Sequence, residues 1–223
     1  MEVKAILFDM DGILMDSEYY YMHGTVQWMK ELGYNKDEKA LYTIIGTTMD
    51  QTYDMLSAFL DHRYTKDELK AINEDYFLVK HPLRPKDIMF DHVKEVLDKL
   101  KKMNIKLAVC SSSPKDTIVV SLSDMGIIDD FDIICCSEDF EYPKPSPDIY
   151  LHAMDKLHVN KENTIVYEDS TIGIKAGVAS GALCIAREDK RFNQDQSEAG
   201  MLVKDIVELL EFVEKENGRN IEN

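Results

Sequence analysis

Residues 4–12 read KAILFDMDG, and this stretch decides the fold. It begins as a continuous apolar run, which is typical of a strand buried on both faces of a parallel sheet. Asp9 and Asp11 follow the run directly, and Gly12 permits a tight turn behind them. The stretch therefore predicts a buried strand that carries two carboxylates at its carboxyl end, where open α/β sheets bind ligands.

Short apolar runs alternate with amphipathic helical stretches over most of the chain. This alternation predicts βαβ units around a central parallel sheet, and therefore an α/β fold. The predicted strands are residues 4–8, 106–110, 132–136, 164–167 and 182–186. One helix is expected to take Ser146 as its N-cap and Pro147 as its first residue, and the last helix to follow Asp205. The polar tail, residues 214–223, is expected to fray.

The alternation stops between residues 17 and 83, where the sequence shows no convincing strand. Apolar residues recur there at helical spacing, as in Met22, Val26 and Met29, and again in Leu69, Ile72, Tyr76 and Val79. A proline-containing segment, residues 81–85, then forms a stiff, non-helical connection. We therefore predict an all-helical insert at residues 17–83 that acts as a lid on a core of residues 1–16 and 84–223.

The composition limits the classes of protein that fit. The chain has 223 residues, 44% of them hydrophobic, which suits one core domain with an insert. Its 26 basic and 42 acidic residues give a net charge of −16, which opposes binding to nucleic acid and to anionic membrane surfaces. No signal peptide or membrane-spanning run is apparent, and the four cysteines read as buried reduced thiols. We expect a cytoplasmic monomer with neither nucleic acid nor membrane as a partner.

Glu168 and Asp169 form a second carboxylate pair, at the end of the predicted strand 164–167. Buried like charges are costly unless a cation joins them, and hard divalent ions such as Mg²⁺ prefer carboxylate, carbonyl and water oxygens. Together with Asp9 and Asp11, this pair predicts a Mg²⁺ site. Mn²⁺ would accept the same ligands, and Glu168 taken alone could be a surface charge.

Two further segments carry groups that suit a phosphate. Ser111 and Ser112 follow the predicted strand 106–110, where hydroxyls and turn amides can donate to a phosphoryl oxygen, although the same serines could cap a helix. Lys144 lies in the loop YPKPSP, residues 142–147, which its prolines stiffen. An ammonium group held there can neutralise a phosphate, whereas a lysine taken alone is usually solvated.

The ordered motifs DxDG, Ser, KPxPD and EDS resemble those of the haloacid dehalogenase superfamily. The helical insert also lies where the cap of that superfamily begins, and the β-phosphoglucomutase-like branch, which includes sugar-phosphate phosphatases, is the most similar. The resemblance implies a Rossmann-like, three-layer core with a central parallel sheet and an inserted helical cap. It also implies a Mg²⁺-dependent phosphatase that acts on a small phosphorylated metabolite such as a sugar phosphate.

The resemblance assigns roles to the motif residues. Asp9 would be the nucleophile that forms an aspartyl phosphate, and Asp11 would be the general acid and base. Three residues would bind the transferring phosphoryl group: Ser111, Ser112 and Lys144. Four residues would hold Mg²⁺, with Asp11 acting through its backbone carbonyl and Glu168 acting directly or through water: Asp9, Asp11, Glu168 and Asp169.

Substrate choice is expected to belong to the cap. Its candidate substrate contacts are Tyr20, Tyr21, Thr47, Thr48 and Met49. In the mutases of the branch, a histidine and an arginine stand where this chain has Tyr21 and Met49, so the bidentate grip on a second phosphate is absent. These departures favour a phosphatase over a phosphosugar mutase of the β-phosphoglucomutase type. The intact Asp9 and Asp11 pair favours it over a non-catalytic protein that binds a phosphorylated metabolite.

Overall fold

The computed structural model describes residues 1–45, 47–192 and 194–221. The chain divides into two compact units, Met1–Asp16 with Pro85–Asn223, and Ser17–Arg84. The predicted insert, residues 17–83, differs from the second unit by one residue.

The first unit contains a six-stranded parallel sheet. Its strands are β1 (Ala5–Phe8), β2 (Lys106–Ser111), β3 (Ile133–Cys136), β4 (Thr164–Glu168), β5 (Leu183–Arg187) and β6 (Met201–Val203). Their order is β3-β2-β1-β4-β5-β6, so β1 lies at the centre between β2 and β4. All five predicted strands are present to within one residue at each end, but β6 was not predicted. That strand lies at the sheet edge, where Met201 and Leu202 are 37% and 48% exposed, and its apolar run of three residues is too short to indicate a buried strand.

Nine α-helices accompany the sheet in the described part of the chain. They are α1 (Ser17–Glu31), α2 (Glu38–Leu41), α3 (Met49–Phe59), α4 (Lys66–Glu74), α5 (Val93–Lys102), α6 (Lys115–Asp124), α7 (Asp148–Leu157), α8 (Thr171–Ala179) and α9 (Ile206–Ile221). Short 3₁₀ turns occur at Tyr42–Ile44, Pro85–Asp87, Ile128–Asp130, Ser137–Asp139 and Lys161–Asn163, and a π-helical segment at Asp75–Lys80.

The sheet is the middle of three layers. Strand β1 is buried throughout, and its alternate residues point to opposite faces. Ile6 and Phe8 join a core cluster with α5, α6 and α9, whereas Leu7 joins a second cluster with α7 and α8. Burial on both faces explains why the strand is a continuous apolar run, and it confirms the predicted α/β architecture with a central parallel sheet.

Two helix ends differ from the prediction. Helix α7 takes Pro147 as its N-cap, because the Ser146 amide donates to the Pro143 carbonyl (2.9 Å) and closes a turn within the preceding loop. Helix α9 continues to Ile221 through most of the tail that was predicted to fray. The side-chain oxygen of Asn217 accepts from the Val3 amide (2.7 Å) and its side-chain nitrogen donates to the Val3 carbonyl (3.1 Å), which holds the tail against the N-terminus. Residues 222–223 lie outside the described part.

The second unit consists of α1 to α4, the π-helical segment and intervening turns. Helix α1 buries the predicted apolar positions, including Val26, and α4 buries Leu69 completely. Val79 follows the same helical spacing in the sequence, yet its side chain is 71% exposed. Val79 lies in the π-helical segment, whose wider turn departs from the 3.6-residue spacing of an α-helix.

Two expectations from composition can be compared with the described residues. Among them, no helix combines the length and apolar character needed to span a membrane. All four cysteines are buried and free of disulfide bonds: Cys110, Cys135, Cys136 and Cys184.

Candidate active site

The carboxyl ends of the three central strands bring the core motifs together. Phe8 in β1 pairs with Val109 in β2 and with Tyr167 in β4. Asp9 therefore emerges from the middle of the sheet, between Ser111 as the last residue of β2 and Glu168 as the last residue of β4. The backbone amide of Asp9 donates to the Tyr167 carbonyl (3.0 Å), which continues the ladder to the first motif residue.

Lys144 connects two of these motifs. Its Nζ donates to Asp9 Oδ1 (2.8 Å), to Glu168 Oε1 (2.6 Å) and to the Cys110 carbonyl (2.9 Å). The Lys144 side chain is only 3% exposed, so this ammonium group is part of the buried structure and not a solvated surface charge. The structure thus places the predicted lysine, nucleophile and acidic residue in direct contact.

The two carboxylates that share this ammonium group have pKa values shifted in opposite directions. Burial, with the nearby charges of Glu168 and Asp11, raises the pKa of Asp9 to about 8 against the opposing effect of Lys144. Burial also opposes ionisation of Glu168, but the positive charge of Lys144 and the hydrogen bonds from Lys144 and Tyr150 outweigh it and lower the pKa of this carboxyl. Burial disfavours the Lys144 cation, yet the two carboxylates hold its pKa above the usual range. The Lys144 ammonium group therefore does not keep both carboxyl groups ionised, and a further cation would favour the ionised form of Asp9.

Glu168 accepts hydrogen bonds on both carboxylate oxygens. Besides Lys144, its Oε1 accepts from the Tyr150 hydroxyl (2.7 Å). Its Oε2 accepts from the Asp169 amide (3.0 Å), the Ser170 amide (3.3 Å) and the Ser170 hydroxyl (3.2 Å). These donors fix a completely buried carboxylate in one orientation, and through it they fix the position of the Lys144 ammonium group.

Gly173 in α8 gives Glu168 the room it needs. A Cβ atom on Gly173 would lie 1.8 Å from Glu168 Oε1. The Glu168 side chain cannot rotate away without breaking hydrogen bonds, because five donors bind its carboxylate. We therefore expect Gly173→Ala to displace the carboxylate, to lower unfolding free energy by about 1–3 kcal/mol and to impair the site. Urea denaturation measures the change.

Gly218→Ala in α9 is the matched control, because a Cβ at Gly218 would meet no atom within 4 Å. That substitution is expected to be neutral or to stabilise the helix by up to about 1 kcal/mol. Equal stabilities of the Gly173→Ala protein and the wild type would contradict the close approach.

Gly12 is required for a different reason. Its φ of 73° is in the left-handed region, and a Cβ there would lie 2.0 Å from Asp169 Oδ2. Arg187 Nε donates to the Gly12 carbonyl (2.6 Å), while the Arg187 guanidinium also pairs with Asp189 (2.8 Å) and stacks on Phe90. The turn after β1 is thereby held against Asp169, the second residue of the fourth motif.

Three carboxylates converge at this edge of the sheet. Asp9, Glu168 and Asp169 each present an oxygen, and these oxygens lie within 4.8 Å of one another. All three residues are buried, and Lys144 supplies a single positive charge to the group. A set of buried carboxylate oxygens with excess negative charge fits a hard divalent cation such as Mg²⁺. Glu168 is the least suited to direct ligation, because its oxygens already accept hydrogen bonds from protein donors.

The serine turn after β2 reaches the other motif carboxylate. Ser113 Oγ donates to Asp11 Oδ2 (2.9 Å), and the Ser113 amide donates to Ser111 Oγ (3.1 Å). Ser111 is buried, whereas Ser112 is exposed and its carbonyl accepts from the Ser137 hydroxyl (2.8 Å). The turn therefore links the predicted phosphate-binding serine to the predicted acid and base.

The five predicted substrate residues lie in the second unit, where four of them make local contacts. The Tyr20 hydroxyl donates to the His81 carbonyl, and the rings of Tyr20 and Tyr21 pack against Phe77. The remaining three residues lie around the start of α3. Thr47 Oγ1 donates to the Ile44 carbonyl (2.6 Å), Thr48 is the N-cap of α3, and Met49 is 64% exposed. Their role in substrate choice stays a prediction.

Sequence reasoning missed three residues that support the site. Tyr150 and Arg187 carry no local signal, because their partners Glu168 and Gly12 are distant in the sequence. Ser113 belongs to the serine run that was noticed, but the run alone does not show which hydroxyl reaches Asp11.

Comparisons with known proteins agree with this geometry. Residues 6–187 match the family described as haloacid dehalogenase-like hydrolase, and the chain belongs to this family. The chain is 28% identical over 207 residues to the validoxylamine A 7'-phosphate phosphatase of Streptomyces hygroscopicus subsp. limoneus, covering 92% of this chain and 95% of the relative. It is 27% identical over 189 residues to the β-phosphoglucomutase of Bacillus subtilis (strain 168), covering 82% of each.

A solved structure shares the fold. The hydrolase of the same family from Deinococcus radiodurans R1, which contains bound phosphate and sodium, superimposes with a TM-score of 0.81 at 22% identity over 96% of each chain. This likeness confirms the predicted Rossmann-like core.

Proposed function

We propose that this protein is a Mg²⁺-dependent phosphatase that hydrolyses a small phosphorylated metabolite through an aspartyl phosphate on Asp9. The observation that carries the proposal is the contact of a buried Lys144 ammonium group with Asp9 Oδ1 at the end of the central strand (2.8 Å). That contact holds a carboxylate and a phosphate-neutralising cation side by side, which is the arrangement that phosphoryl transfer to a carboxylate needs.

In the first step, Asp9 attacks the phosphorus atom of the substrate. Lys144 holds Oδ1 of Asp9, so the direction of Oδ2 is defined and this oxygen forms the new bond to phosphorus. The bond between phosphorus and the ester oxygen breaks, and Asp11 gives its proton to the leaving alkoxide. The products of this step are a free alcohol and the phosphorylated Asp9 carboxylate.

In the second step, water attacks the same phosphorus atom. Asp11, now ionised, takes a proton from the water, and the bond between phosphorus and Asp9 breaks. Inorganic phosphate leaves and both aspartates return to their starting states. Dividing one difficult displacement in this way is the usual advantage of covalent catalysis.

Lys144, Ser111 and Ser112 bind the phosphoryl group in this proposal. Lys144 contributes a positive charge, Ser111 a hydroxyl and Ser112 a backbone amide, and these donors stabilise negative charge on the equatorial oxygens. The Ser111 hydroxyl oxygen accepts from the Ser113 amide (3.1 Å), so its own hydrogen can point away from that amide toward a phosphoryl oxygen.

Asp9, Asp169 and the backbone carbonyl of Asp11 would hold Mg²⁺. When bound, the ion would offset the charge of the phosphoryl group and of the carboxylates, in addition to the single positive charge of Lys144. Glu168 would act mainly by holding Lys144, and on the metal only through water. Burial, together with the nearby charges of Glu168 and Asp11, raises the pKa of Asp9, so a bound cation would favour its ionised form, which supports this role for the metal.

A sugar phosphate is the proposed substrate class. The relatives named above act, by their names, on validoxylamine A 7'-phosphate and on phosphoglucose. The second of them favours a mutase as the alternative function. Against it, the resemblance to this branch matches Tyr21 and Met49 of this chain with the histidine and arginine of the mutases.

Phosphate release from a panel of phosphorylated sugars and nucleotides tests the proposed function. We expect release in the presence of Mg²⁺, its loss in EDTA and its return when Mg²⁺ is restored, with sugar phosphates as the best substrates. The absence of release from every compound would contradict a phosphatase. Interconversion of hexose 1-phosphate and 6-phosphate, stimulated by a sugar bisphosphate, would establish the mutase, and inactivity in both assays would favour the binding protein.

A further inference from the structure

The Ser113 hydroxyl lies on a turn that the protein anchors independently of Asp11. This turn lies between Ser111 at the end of β2 and Lys115 at the start of α6. The Ser137 hydroxyl donates to the Ser112 carbonyl (2.8 Å), and the Lys115 amide donates to Glu138 Oε2 (3.1 Å). The Ser113 amide is itself bound to Ser111 Oγ (3.1 Å). The Ser113 hydroxyl therefore belongs to a turn that three separate hydrogen bonds hold in place.

This hydroxyl reaches across the sheet edge to the motif that follows β1. Ser113 Oγ donates to Asp11 Oδ2 (2.9 Å), although the two residues are 102 positions apart in the sequence. The bond joins Asp11, half-buried on the turn after Asp9, to the same turn that presents Ser111. A single contact thus couples the direction of the Asp11 carboxyl group to the place where the phosphoryl group binds.

We infer that Ser113 is a positioning residue that orients the acid and base Asp11 for proton transfer to the leaving group. The inference rests on the proposed function, since it assigns Asp11 that role. Because Oδ2 accepts the Ser113 hydrogen bond, the acid form of Asp11 is favoured with its proton on Oδ1. Ser113 thereby selects the oxygen from which the proton is given, and it limits rotation of the carboxyl group about χ2.

The leaving group separates this role from a general structural one. An alkyl phosphate, such as a sugar phosphate, expels a strongly basic alkoxide that must be protonated as its bond to phosphorus breaks. p-Nitrophenyl phosphate expels a stable anion that needs no proton from the enzyme. Both esters present the same phosphoryl group to Asp9, Ser111 and Lys144. The value of kcat/KM reports the steps up to loss of the leaving group, so it isolates the step in which Asp11 is the acid.

The experiment compares kcat/KM of the wild type, Ser113→Ala and Ser113→Thr for p-nitrophenyl phosphate and for the best sugar phosphate. We expect Ser113→Ala to lower kcat/KM for the sugar phosphate by about 10–100-fold and for p-nitrophenyl phosphate by less than about 3-fold. Ser113→Thr keeps a hydroxyl group and is expected to restore most of the loss. Ser123→Ala, at an exposed position of α6, is the matched control and should leave both values unchanged.

The outcomes are distinguishable. Equal losses for the two esters, or no loss for either, would overturn the role of Ser113 while the proposed function stands. A wild-type protein that hydrolyses neither ester would overturn the proposed function, and the role of Ser113 with it. A melting temperature measured for each variant shows whether a loss comes from unfolding, which would lower both values together.

Discussion

Replacing Asp9 with asparagine is expected to lower kcat for phosphate release by about 10⁴-fold or more. The amide oxygen of asparagine is a poor nucleophile, and the covalent step has no other carboxylate at the end of β1 in contact with Lys144 among the described residues. The measurement is the initial rate of phosphate release in Mg²⁺, together with acid quenching of the wild type to trap phosphate on the protein. Trapped phosphate is expected on the wild type and not on the variant.

The same substitution is expected to leave the protein as stable as the wild type, or more stable, in EDTA. Asparagine is close in shape to aspartate, its amide oxygen can still accept from Lys144, and it replaces a carboxyl group whose ionisation burial opposes. Thermal unfolding measures this directly. Asp155→Asn on the exposed side of α7 is the control and should retain full activity. An active Asp9→Asn protein would refute the covalent mechanism. If the variant were strongly destabilised, unfolding would explain its inactivity and the stability prediction would be wrong.

Lys144→Met is expected to lower the free energy of unfolding by about 3–5 kcal/mol and to abolish phosphate release. Methionine fills a similar volume, but it leaves the carboxylates of Asp9 and Glu168 buried without their shared ammonium group. Removing one partner of a buried ionic cluster lowers the free energy of unfolding by more than the intact cluster contributes to it. The reason is that the remaining charge is neither paired nor hydrated. Urea denaturation in EDTA gives the free energy, and phosphate release gives the activity.

A double-mutant cycle tests the cause of that loss. Adding Glu168→Gln to the Lys144→Met protein should restore part of its stability, with a coupling energy of about 0.5–3 kcal/mol. Lys190→Met is the control, because that side chain is 81% exposed and its removal should change stability by no more than about 0.5 kcal/mol. A Lys144→Met protein as stable as the Lys190→Met control would contradict the buried ion cluster.

The architecture and the main motifs were predictable because they depend on local patterns. The continuous apolar run before Asp9 is the pattern of a strand that is buried on both faces. The turn after that strand was predictable from Gly12. The same reasoning located Ser111, Lys144 and Glu168 at strand ends or in a stiff loop. The structure shows Lys144 in contact with Asp9 and Glu168, which the sequence only suggested through the order of the motifs.

Errors in the prediction have physical causes that extend beyond local pattern. The edge strand β6 is short and half-exposed, and α9 is extended by the bonds between Asn217 and Val3, which are 214 residues apart. Val79 follows helical spacing in the sequence, but the π-helical segment turns it outward. Each case depends on a partner or a backbone geometry that a window of neighbouring residues does not contain.

The sequence by itself determined the parallel sheet, the helical insert and the acidic, hydroxyl and ammonium groups that make up the motifs, because short-range periodicity and turn chemistry encode them. Only the tertiary structure decided which of those groups contact one another, and through which atoms. In it, Lys144 lies between two carboxyl groups and both carboxylate oxygens of Glu168 accept hydrogen bonds. The Ser113 hydroxyl donates to Asp11. The reason is that these hydrogen bonds, the burial of the side chains and the balance of their charges all depend on contacts between segments that are distant in the sequence.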